Sequence, residues 1–311
     1  MPKITCLAGG VGAARFLQGL TKVIPPKDIT VIINTGDDIE LYGLHISPDV
    51  DIVTYTLAGI ENDETGWGIR GDSFHCLEAL GKLGHETWFN LGDFDMATHI
   101  SRTKLLEEGH TLSEITARHA KSLSIEVKLI PMTDDHFTTK IVTEGGPLHF
   151  QEYLVKRRAS DPVKGVKFEG AETSRPAPGV INALMEADCV VVCPSNPIVS
   201  VGTILSVPGV RDTLCETGAK VTAISPIVGG APVRGPADKI MMGLGLDVSA
   251  HAVAELYRGF LDSFVIDSRD QNHAEAIRRL DMKVVVTNTI MGTLEDKVRL
   301  AETTLRSVDL V

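Results

Sequence analysis

The first 23 residues contain a short apolar strand, a glycine turn and a helix, and this unit constrains the fold more than any other part of the sequence. The mostly apolar run from residue 3 to residue 8 predicts a buried strand. Gly9-Gly10-Val11-Gly12 then predicts a tight turn, and residues 13 to 23 have a helical pattern. The composition agrees, because only 5% of the chain is aromatic while 29 residues are glycine, which suits short parallel strands in an α/β protein.

The scheme of an apolar strand that ends in polar residues recurs along the chain. It is predicted for residues 30–33, 88–91, 189–193 and 221–225, and a further strand is predicted for residues 283–287. The alternation favours one domain over residues 1–311, built on a doubly wound, mainly parallel α/β sheet. From about residue 127 to 170 apolar and polar runs alternate around Gly145-Gly146-Pro147, which predicts an inserted antiparallel β-rich or helical subdomain.

Several helices are predicted from periodicity and capping signals. Thr111-Leu112-Ser113-Glu114 matches a capping box, so a helix is expected to begin there and run to about Leu123. Residues 39–72 look irregular and rich in Gly and Asp, which is more typical of a site than of a core. Other helical patterns cover residues 73–83, 178–186, 211–216, 249–260, 273–280 and the end of the chain from residue 293.

The charge of the chain restricts its partners. The formal net charge is -11 and the isoelectric point is about 5.4, so the chain repels nucleic-acid phosphates and anionic lipids. We expect a small-molecule ligand, with no nucleic-acid or membrane partner. The sequence has no long apolar run and no signal-peptide pattern, so a cytoplasmic location is expected. The 5 cysteines are odd in number and mostly lie in apolar surroundings, which is typical of reduced thiols.

The glycine turn after the first strand is a candidate phosphate site. Gly9, Gly10 and Gly12 let a ligand approach the backbone, and the following helix start offers free N–H groups. Arg15 stands where a dinucleotide fingerprint has its third glycine, and no Gly-Lys-Ser/Thr follows to make a P-loop. An ordinary tight turn is therefore the open alternative.

Aspartates cluster in three segments, two of which follow predicted strand ends. Carboxylates gathered at one rim of a sheet repel each other unless a cation lies among them, and Mg²⁺ is the usual cation beside phosphates. The alternative is that each aspartate caps a helix or shapes a turn. We expect Mg²⁺ at Asp37, Asp49 and Asp51, and catalytic roles among Asp49, Asp51, Asp93 and Asp95.

Further polar residues follow the third acidic segment and two later strands. An arginine and hydroxyl groups at the start of a helix can hold an anion, and amide or hydroxyl groups after a strand can contact a nucleotide. A capping histidine and two proline-stiffened turns are the alternatives. The candidate binding residues in these segments are Thr98, His99, Arg102, Ser195, Asn196, Pro197, Ser225 and Gly229.

In this order, the segments resemble the 2-phospho-L-lactate transferase family of coenzyme F-420 biosynthesis along nearly the whole chain. The matching stretches are Ala8-Gly-Gly-Val-Gly12, Asn34-Thr-Gly-Asp-Asp38, Ser47-Pro-Asp-Val-Asp51, Trp67-Gly-Ile-Arg-Gly-Asp-Ser-Phe74, Leu91-Gly-Asp-Phe-Asp95, Ala97-Thr-His99, Pro194-Ser-Asn-Pro-Ile198, Ser225-Pro-Ile-Val-Gly-Gly-Ala-Pro232 and Gly235-Pro236.

The resemblance implies a Rossmann-like core, commonly in a homodimer, that binds a guanosine diphospho donor, a deazaflavin acceptor and Mg²⁺. The ribityl hydroxyl of 7,8-didemethyl-8-hydroxy-5-deazariboflavin would attack the phosphorus of a lactyl- or enolpyruvyl-diphosphoguanosine, and GMP would leave. Asp51 is expected to contact the deazaflavin, and Asn90 is expected to bind substrate. Many members are expected to have a basic residue near Asn90 or Phe94, and this chain has none at either position.

Two other classes of protein fit parts of the pattern. A related set of non-enzymatic nucleotide-sugar-binding regulators has a similar glycine start and a similar Pro-Ser-Asn turn, but segments 47–51 and 67–74 favour the transferase. A dehydrogenase with a Rossmann core is disfavoured by Arg15 and by the lack of an acidic residue ending the second strand, although Asp37 keeps it open.

Overall fold

The computed structural model describes residues 2–310, which fold around a seven-stranded parallel sheet. The strands are Ile4–Ala8 (β1), Ile29–Ile33 (β2), Ile39–Leu41 (β3), Leu44–Ile46 (β4), Lys128–Pro131 (β5), Thr138–Thr143 (β6), Gly146–His149 (β7), Gly165–Glu169 (β8), Cys189–Val192 (β9), Lys220–Ile224 (β10), Ile227–Val228 (β11), Ala231–Pro232 (β12), Ser263–Asp267 (β13) and Lys283–Thr287 (β14).

The α-helices alternate with the strands, and several of them pack on one or the other face of the main sheet. They are Gly10–Val23 (α1), Pro48–Leu57 (α2), His75–Lys82 (α3), Asp93–Glu107 (α4), Leu112–Ser122 (α5), Val180–Met185 (α6), Val201–Ser206 (α7), Val210–Glu216 (α8), Ala237–Gly243 (α9), Ala250–Leu256 (α10), Ala274–Arg278 (α11) and Leu294–Arg306 (α12). No helix within residues 2–310 combines the length and apolar character needed to cross a bilayer.

The sheet has the order β14-β13-β10-β9-β1-β2-β5. From β1 the chain runs outward through β2 to β5, and from β9 it runs outward the other way through β10 and β13 to β14. The direction of winding therefore reverses between β1 and β9, which pair from Ile4 opposite Cys189 to Leu7 opposite Val192. Such a switch point opens a crevice at the carboxyl ends of the strands. The predicted doubly wound α/β class is confirmed.

Both faces of the sheet are covered, which explains why its strands read as apolar runs rather than as alternating ones. Val190 and Val192 of β9 pack into a cluster with α6, α7, α8 and α10. Cys189 and Val191 point the other way, into a cluster with α1 and α12. All five cysteines are free thiols; Cys76 and Cys215 are exposed and the others are buried.

An antiparallel sheet of order β7-β6-β8 is inserted between the two halves of the main sheet. It has its own core, in which Ile141, Phe150 and Tyr153 pack against Ile240 of α9. The antiparallel insertion agrees with the alternating pattern of the sequence. The predicted range of residues 127–170 also includes β5, which pairs with β2 and forms the edge of the main sheet instead.

Two local predictions were wrong, and some elements were not predicted. Residues 88–91 form no strand, because no neighbouring strand is present with which their backbone could pair. Within the segment predicted to be irregular, α2 begins at Pro48, where the fixed φ of proline suits the first helical turn. The buried strand β13 and the short helix α7 were not predicted, since short apolar runs fit either kind of element.

Candidate active site

A cavity of about 650 Å³ opens at the carboxyl ends of β1 and β9, at the reversal of strand order. It gathers residues from the first, second and last thirds of the chain. Of the residues proposed from the sequence, those that line it are Gly9, Gly10, Gly12, Asp37, Asp49, Asp51, Asn90, Asp95, His99, Ser195, Asn196 and Ser225.

The glycine turn lies so close to neighbouring loops that side chains do not fit. A Cβ atom on Gly12 would lie 2.2 Å from the carbonyl oxygen of Pro194, and one on Gly9 would lie 2.5 Å from Cβ of Ser200. The Gly9 N–H donates to Oγ of Ser195 at 3.1 Å, which ties the turn to the loop after β9. Helix α1 starts here without a side-chain cap or an acidic residue in its first turn. Its first N–H groups are therefore suited to an anion in the cavity.

Two buried carboxylates, Asp37 and Asp49, line the cavity beside this turn. Burial raises the pKa of Asp49 to about 7, although the Asn34 amide and the Gly10 N–H donate to it. Burial, followed by the charge of Asp49, raises the pKa of Asp37 well above its usual value. Within residues 2–310 nothing donates a hydrogen bond to Oδ1 of Asp37. This buried oxygen without a partner, next to a second carboxylate, fits a divalent cation, which prefers oxygen ligands.

Asp51 is engaged differently, because it forms a buried ion pair with Arg102. Nη1 of Arg102 lies 3.1 Å from Oδ2 of Asp51, and Nη2 bonds to Oδ1. The Arg102 side chain is only 2% exposed. Burial would lower the pKa of Arg102, but the charge and hydrogen bonds of Asp51, together with the electrostatic effects of Asp38 and Tyr55, outweigh it and the pKa is raised. Both oxygens of Asp51 are therefore committed to the guanidinium.

His99, Asp95 and Tyr55 continue from this ion pair along the cavity wall. Nδ1 of His99 lies 3.2 Å from Nη1 of Arg102, and Nε2 lies 3.3 Å from Oδ1 of Asp95. The Tyr55 hydroxyl donates to the same Asp95 oxygen at 2.7 Å. Burial, followed by the charges of Asp51 and Asp95, raises the pKa of Tyr55 well above its usual value, so the hydroxyl remains a donor.

Donor atoms of Asp51, Asp95 and His99 all lie within 4.8 Å of one another, a spacing that would also suit a metal ion. Arg102 already supplies a positive charge to this group, and it occupies both oxygens of Asp51 and Nδ1 of His99. A cation placed there would be repelled by the guanidinium. The trio is therefore a poorer metal site than the pair formed by Asp37 and Asp49.

Five proposed site residues do not line the cavity: Asp93, Thr98, Arg102, Pro197 and Gly229. Asp93 accepts hydrogen bonds from Oγ of Ser73 at 2.6 Å and from the Cys76 N–H at 2.9 Å, so it caps the start of α3. The Gly229 N–H donates to Asp270 instead of facing the cavity. Asp93 was predicted to be catalytic, with a helix cap as the alternative, and the structure shows the helix cap.

Two residues that line the cavity also form hydrogen bonds within their own loops. Oδ1 of Asn196 accepts the N–H groups of Ile198 and Val199. Oγ of Ser225 bonds both backbone groups of Ile227. Asn196 keeps its amide N–H groups for a ligand, whereas Ser225 mainly shapes its turn.

Other cavity residues were missed from the sequence. Tyr55 follows Asp51 by four residues, so helical spacing would have placed both on one face if α2 had been recognised. Arg15 was considered only as a departure from a fingerprint, although it lies on α1 and lines the cavity. Phe150 of the insertion, Arg234 and the loop of residues 289–292 carry no local signal.

Residues 4–305 match the family described as 2-phospho-L-lactate transferase CofD. The chain is 45% identical to a phosphoenolpyruvate transferase of Streptomyces coelicolor over 97% of each protein. It is 41% identical to a 2-phospho-L-lactate transferase of Methanocaldococcus jannaschii over 96% of each protein.

A crystal structure of a Bacillus halodurans member of the upf0052 family shares the fold, with a TM-score of 0.64 over 97% of this chain and 98% of that chain, at 16% identity. That likeness concerns the fold alone. The whole-chain matches to enzymes disfavour both the regulator and the dehydrogenase. They confirm the resemblance seen in the sequence: the chain belongs to the 2-phospho-L-lactate transferase CofD family and is a transferase.

Proposed function

We propose that this protein transfers a phospho-acid group from a guanosine diphospho donor to the ribityl hydroxyl of the deazaflavin acceptor, releasing GMP, in coenzyme F-420 biosynthesis. The observation that carries the proposal is one cavity that combines an uncapped helix start, a buried carboxylate pair and an aromatic wall. These are the groups that a diphosphate, its cation and a flat heterocycle require.

The donor diphosphate is proposed to lie against the glycine turn. The N–H groups of Val11 and Gly12 lie in the first turn of α1, and Arg15 adds a positive charge one turn later. Arginine forms strong paired hydrogen bonds with phosphate oxygens. The free amide of Asn196, on the adjacent loop, is proposed to donate to the nucleoside.

The acceptor ring is proposed to lie against apolar side chains of the cavity. Tyr55, Trp67, Phe89 and Phe150 contribute aromatic rings to its lining. Stacking and edge contacts with such rings suit a deazaflavin. Asn90 also lines the cavity, and Asp51 is the residue for which the family resemblance implies contact with the deazaflavin.

Asp37 and Asp49 are proposed to hold Mg²⁺, whereas Asp51 is held by Arg102. When bound, the ion would neutralise charge on the diphosphate during transfer. Loss of either aspartate is expected to lower kcat by ~10²- to 10³-fold, by analogy with the loss of an electrostatic stabiliser.

The transfer itself forms a bond from the ribityl oxygen to phosphorus and breaks the bond from phosphorus to the GMP oxygen. The hydroxyl proton must leave, and Asp95 is the carboxylate to which we assign it. Asp95 lines the cavity, the Tyr55 hydroxyl donates to its Oδ1, and Nε2 of His99 lies 3.3 Å from the same oxygen, which leaves Oδ2 for a substrate hydroxyl. The homodimer and the cytoplasmic location implied by the resemblance stay predictions.

The test is a fluorescence titration with the deazaflavin, followed by addition of lactyl- or enolpyruvyl-diphosphoguanosine with and without Mg²⁺ and measurement of GMP. Saturable acceptor binding and Mg²⁺-dependent GMP release would support the proposal, and the two kcat/KM values would rank the donors. Asp49→Asn is expected to abolish most turnover, while Asp212→Asn, on an exposed position, serves as the matched control. Nucleotide-sugar binding without turnover would refute it.

A further inference from the structure

We infer that Arg102 is a positioning residue of the transferase: it fixes the tautomer of His99 and, through His99, the orientation of the Asp95 carboxylate in the cavity. The inference rests on the proposed function, because that function gives Asp95 its role. The observations that carry it are the Arg102–His99 hydrogen bond and the short distance from His99 to Asp95, all three side chains being buried.

Arg102 determines which nitrogen of His99 carries the proton. A guanidinium has only N–H donors, so the group that it faces must be an acceptor. Nη1 of Arg102 lies 3.2 Å from Nδ1 of His99, within hydrogen-bond distance. Oδ2 of Asp51 is 3.6 Å from the same nitrogen, which is too far to accept a proton from it. Nδ1 is therefore unprotonated, and the ring proton lies on Nε2.

The Nε2–H group of His99 then lies closest to one carboxylate. The side chain is 1% exposed, and Oδ1 of Asp95 lies 3.3 Å from Nε2. This is a close electrostatic contact rather than an aligned hydrogen bond, since Nε2 has no hydrogen-bond partner among residues 2–310. In the opposite tautomer, a lone pair on Nε2 would face the carboxylate and Nδ1–H would face the guanidinium. Both contacts would be repulsive, so the local charges favour a single tautomer.

Asp95 is thus held from two helices. The Tyr55 hydroxyl on α2 donates a hydrogen bond to Oδ1, and the Nε2–H group of His99 on α4 attracts the same oxygen electrostatically from 3.3 Å. A carboxylate fixed through one oxygen presents the other in a defined direction. The orientation of the Asp95 side chain therefore depends on His99, and that of His99 depends on Arg102.

The guanidinium is itself fixed by partners on several elements. Besides the two bonds to Asp51 of α2, Nη1 of Arg102 lies 3.3 Å from the carbonyl oxygen of His45 on β4. A lysine ammonium cannot reproduce this planar fork, although it keeps the charge. Arg102→Lys is therefore the variant that separates geometry from charge.

The first measurement is the ¹⁵N spectrum of the histidine rings in the wild-type protein without substrate, with His99 assigned by its loss in His99→Gln. We expect an N–H at Nε2 and a bare Nδ1. Protonation at Nδ1, or at both nitrogens, at neutral pH would overturn the inference. This spectrum does not depend on turnover, so it is informative even if the proposed function fails.

The second measurement compares Arg102→Lys with Arg279→Lys, an exposed control. In Arg102→Lys we expect a mixture of tautomers and a fall in kcat of ~10²-fold with the KM for the donor unchanged, as for a misplaced reactive group. A change in Tm alone, with tautomer and kcat unaffected, would show that Arg102 is merely structural and would overturn the inference.

Tyr55→Phe provides a variant that leaves the ion pair intact. It removes the hydrogen bond to Oδ1 of Asp95, so we expect kcat to fall while His99 keeps its Nε2–H tautomer. If Arg102→Lys does not fold, the wild-type spectrum and Tyr55→Phe decide the question: a tautomer that changes in Tyr55→Phe would contradict control by Arg102.

Discussion

At the scale of single residues, the site depends on glycines whose missing side chains make room for a neighbouring backbone. Gly12 touches Pro194, so the loops after β1 and β9 can close only when no Cβ is present at residue 12. The same closeness brings the start of α1 to the carboxylate of Asp49, whose Oδ1 would lie 3.5 Å from a Cβ on Gly10.

Gly12→Ala is expected to lower the free energy of unfolding by ~1–3 kcal/mol, the usual cost of forcing an atom into a packed region. It should also weaken binding of guanosine diphosphate, because the first turn of α1 must shift. Urea denaturation and a binding titration measure both effects. Gly218→Ala is the control, since a Cβ there meets nothing within 4 Å. Equal stability of the two variants would mean that the close approach is absent in solution.

The raised pKa of Asp49 gives a signed prediction for stability. The pKa rises from 3.8 to about 7 on folding, so between these values the unfolded chain is ionised while the folded protein keeps the proton. The free energy of unfolding therefore falls as the pH rises from 3.8 to about 7. Above that range the folded protein carries a buried negative charge at Asp49.

Asp49→Asn removes that charge, so the metal-free variant should melt ~2–5 °C above the wild type at about pH 8, with the difference shrinking toward about pH 4. Thermal melts in a metal chelator across this range check the trend. Added Mg²⁺ should stabilise the wild type and leave the variant unchanged. A variant that melts below the wild type at every pH contradicts the assignment.

At the scale of elements, two loops meet across the mouth of the cavity. Residues 61–71 carry Trp67, which is 40% exposed, and residues 232–236 carry Arg234. Nη1 of Arg234 donates to the carbonyl oxygen of Thr65 at 3.0 Å, which links the two loops. This link restrains the loop that carries Trp67, one of the lining aromatic residues to which we assign the acceptor.

Arg234→Ala should free the Trp67 loop and raise the KM for the deazaflavin by about two- to tenfold, the equivalent of one hydrogen bond. The chain has 2 tryptophans, so in Trp88→Phe all tryptophan fluorescence comes from Trp67. In that background Arg234→Ala should increase quenching by acrylamide, whereas Arg279→Ala should not. Unchanged quenching and KM would mean that the link has no role in binding.

At the scale of the whole molecule, the cavity lies between the two halves of the sheet, which wind away from β1 and β9 in opposite directions. A ligand held by the glycine turn and by Asn196 contacts both halves at once. Its binding energy should therefore add to the stability of the whole domain, rather than to one loop.

Guanosine diphosphate with Mg²⁺ should accordingly raise Tm in a single cooperative transition, with ~2.7 kcal/mol of stabilisation at a ligand concentration of one hundred times Kd. Differential scanning calorimetry measures the shift, and Gly12→Ala should reduce it. A shift of the same size in the presence of a chelator would argue against a metal between the diphosphate and the carboxylates.

The sequence by itself determined the class of fold and much of its local structure. The apolar runs at β1, β2, β9, β10 and β14 predicted buried strands, and Thr111-Leu112-Ser113-Glu114 predicted the start of α5, where both hydrogen bonds of the capping box are present. These signals are local, because periodicity and capping depend on residues a few positions apart. The order of the motifs also indicated the family.

Only the tertiary structure decided which polar residues share the site. Asp93 and Asp95 follow the same predicted strand end, yet Asp93 caps α3 and Asp95 lines the cavity. Arg102 meets a carboxylate of another helix rather than a substrate anion, because Asp51 reaches it inside the core. Residues 88–91 lack the partner that a strand requires. Each of these outcomes depends on contacts between distant segments, whose packing and charge pairing no local pattern contains.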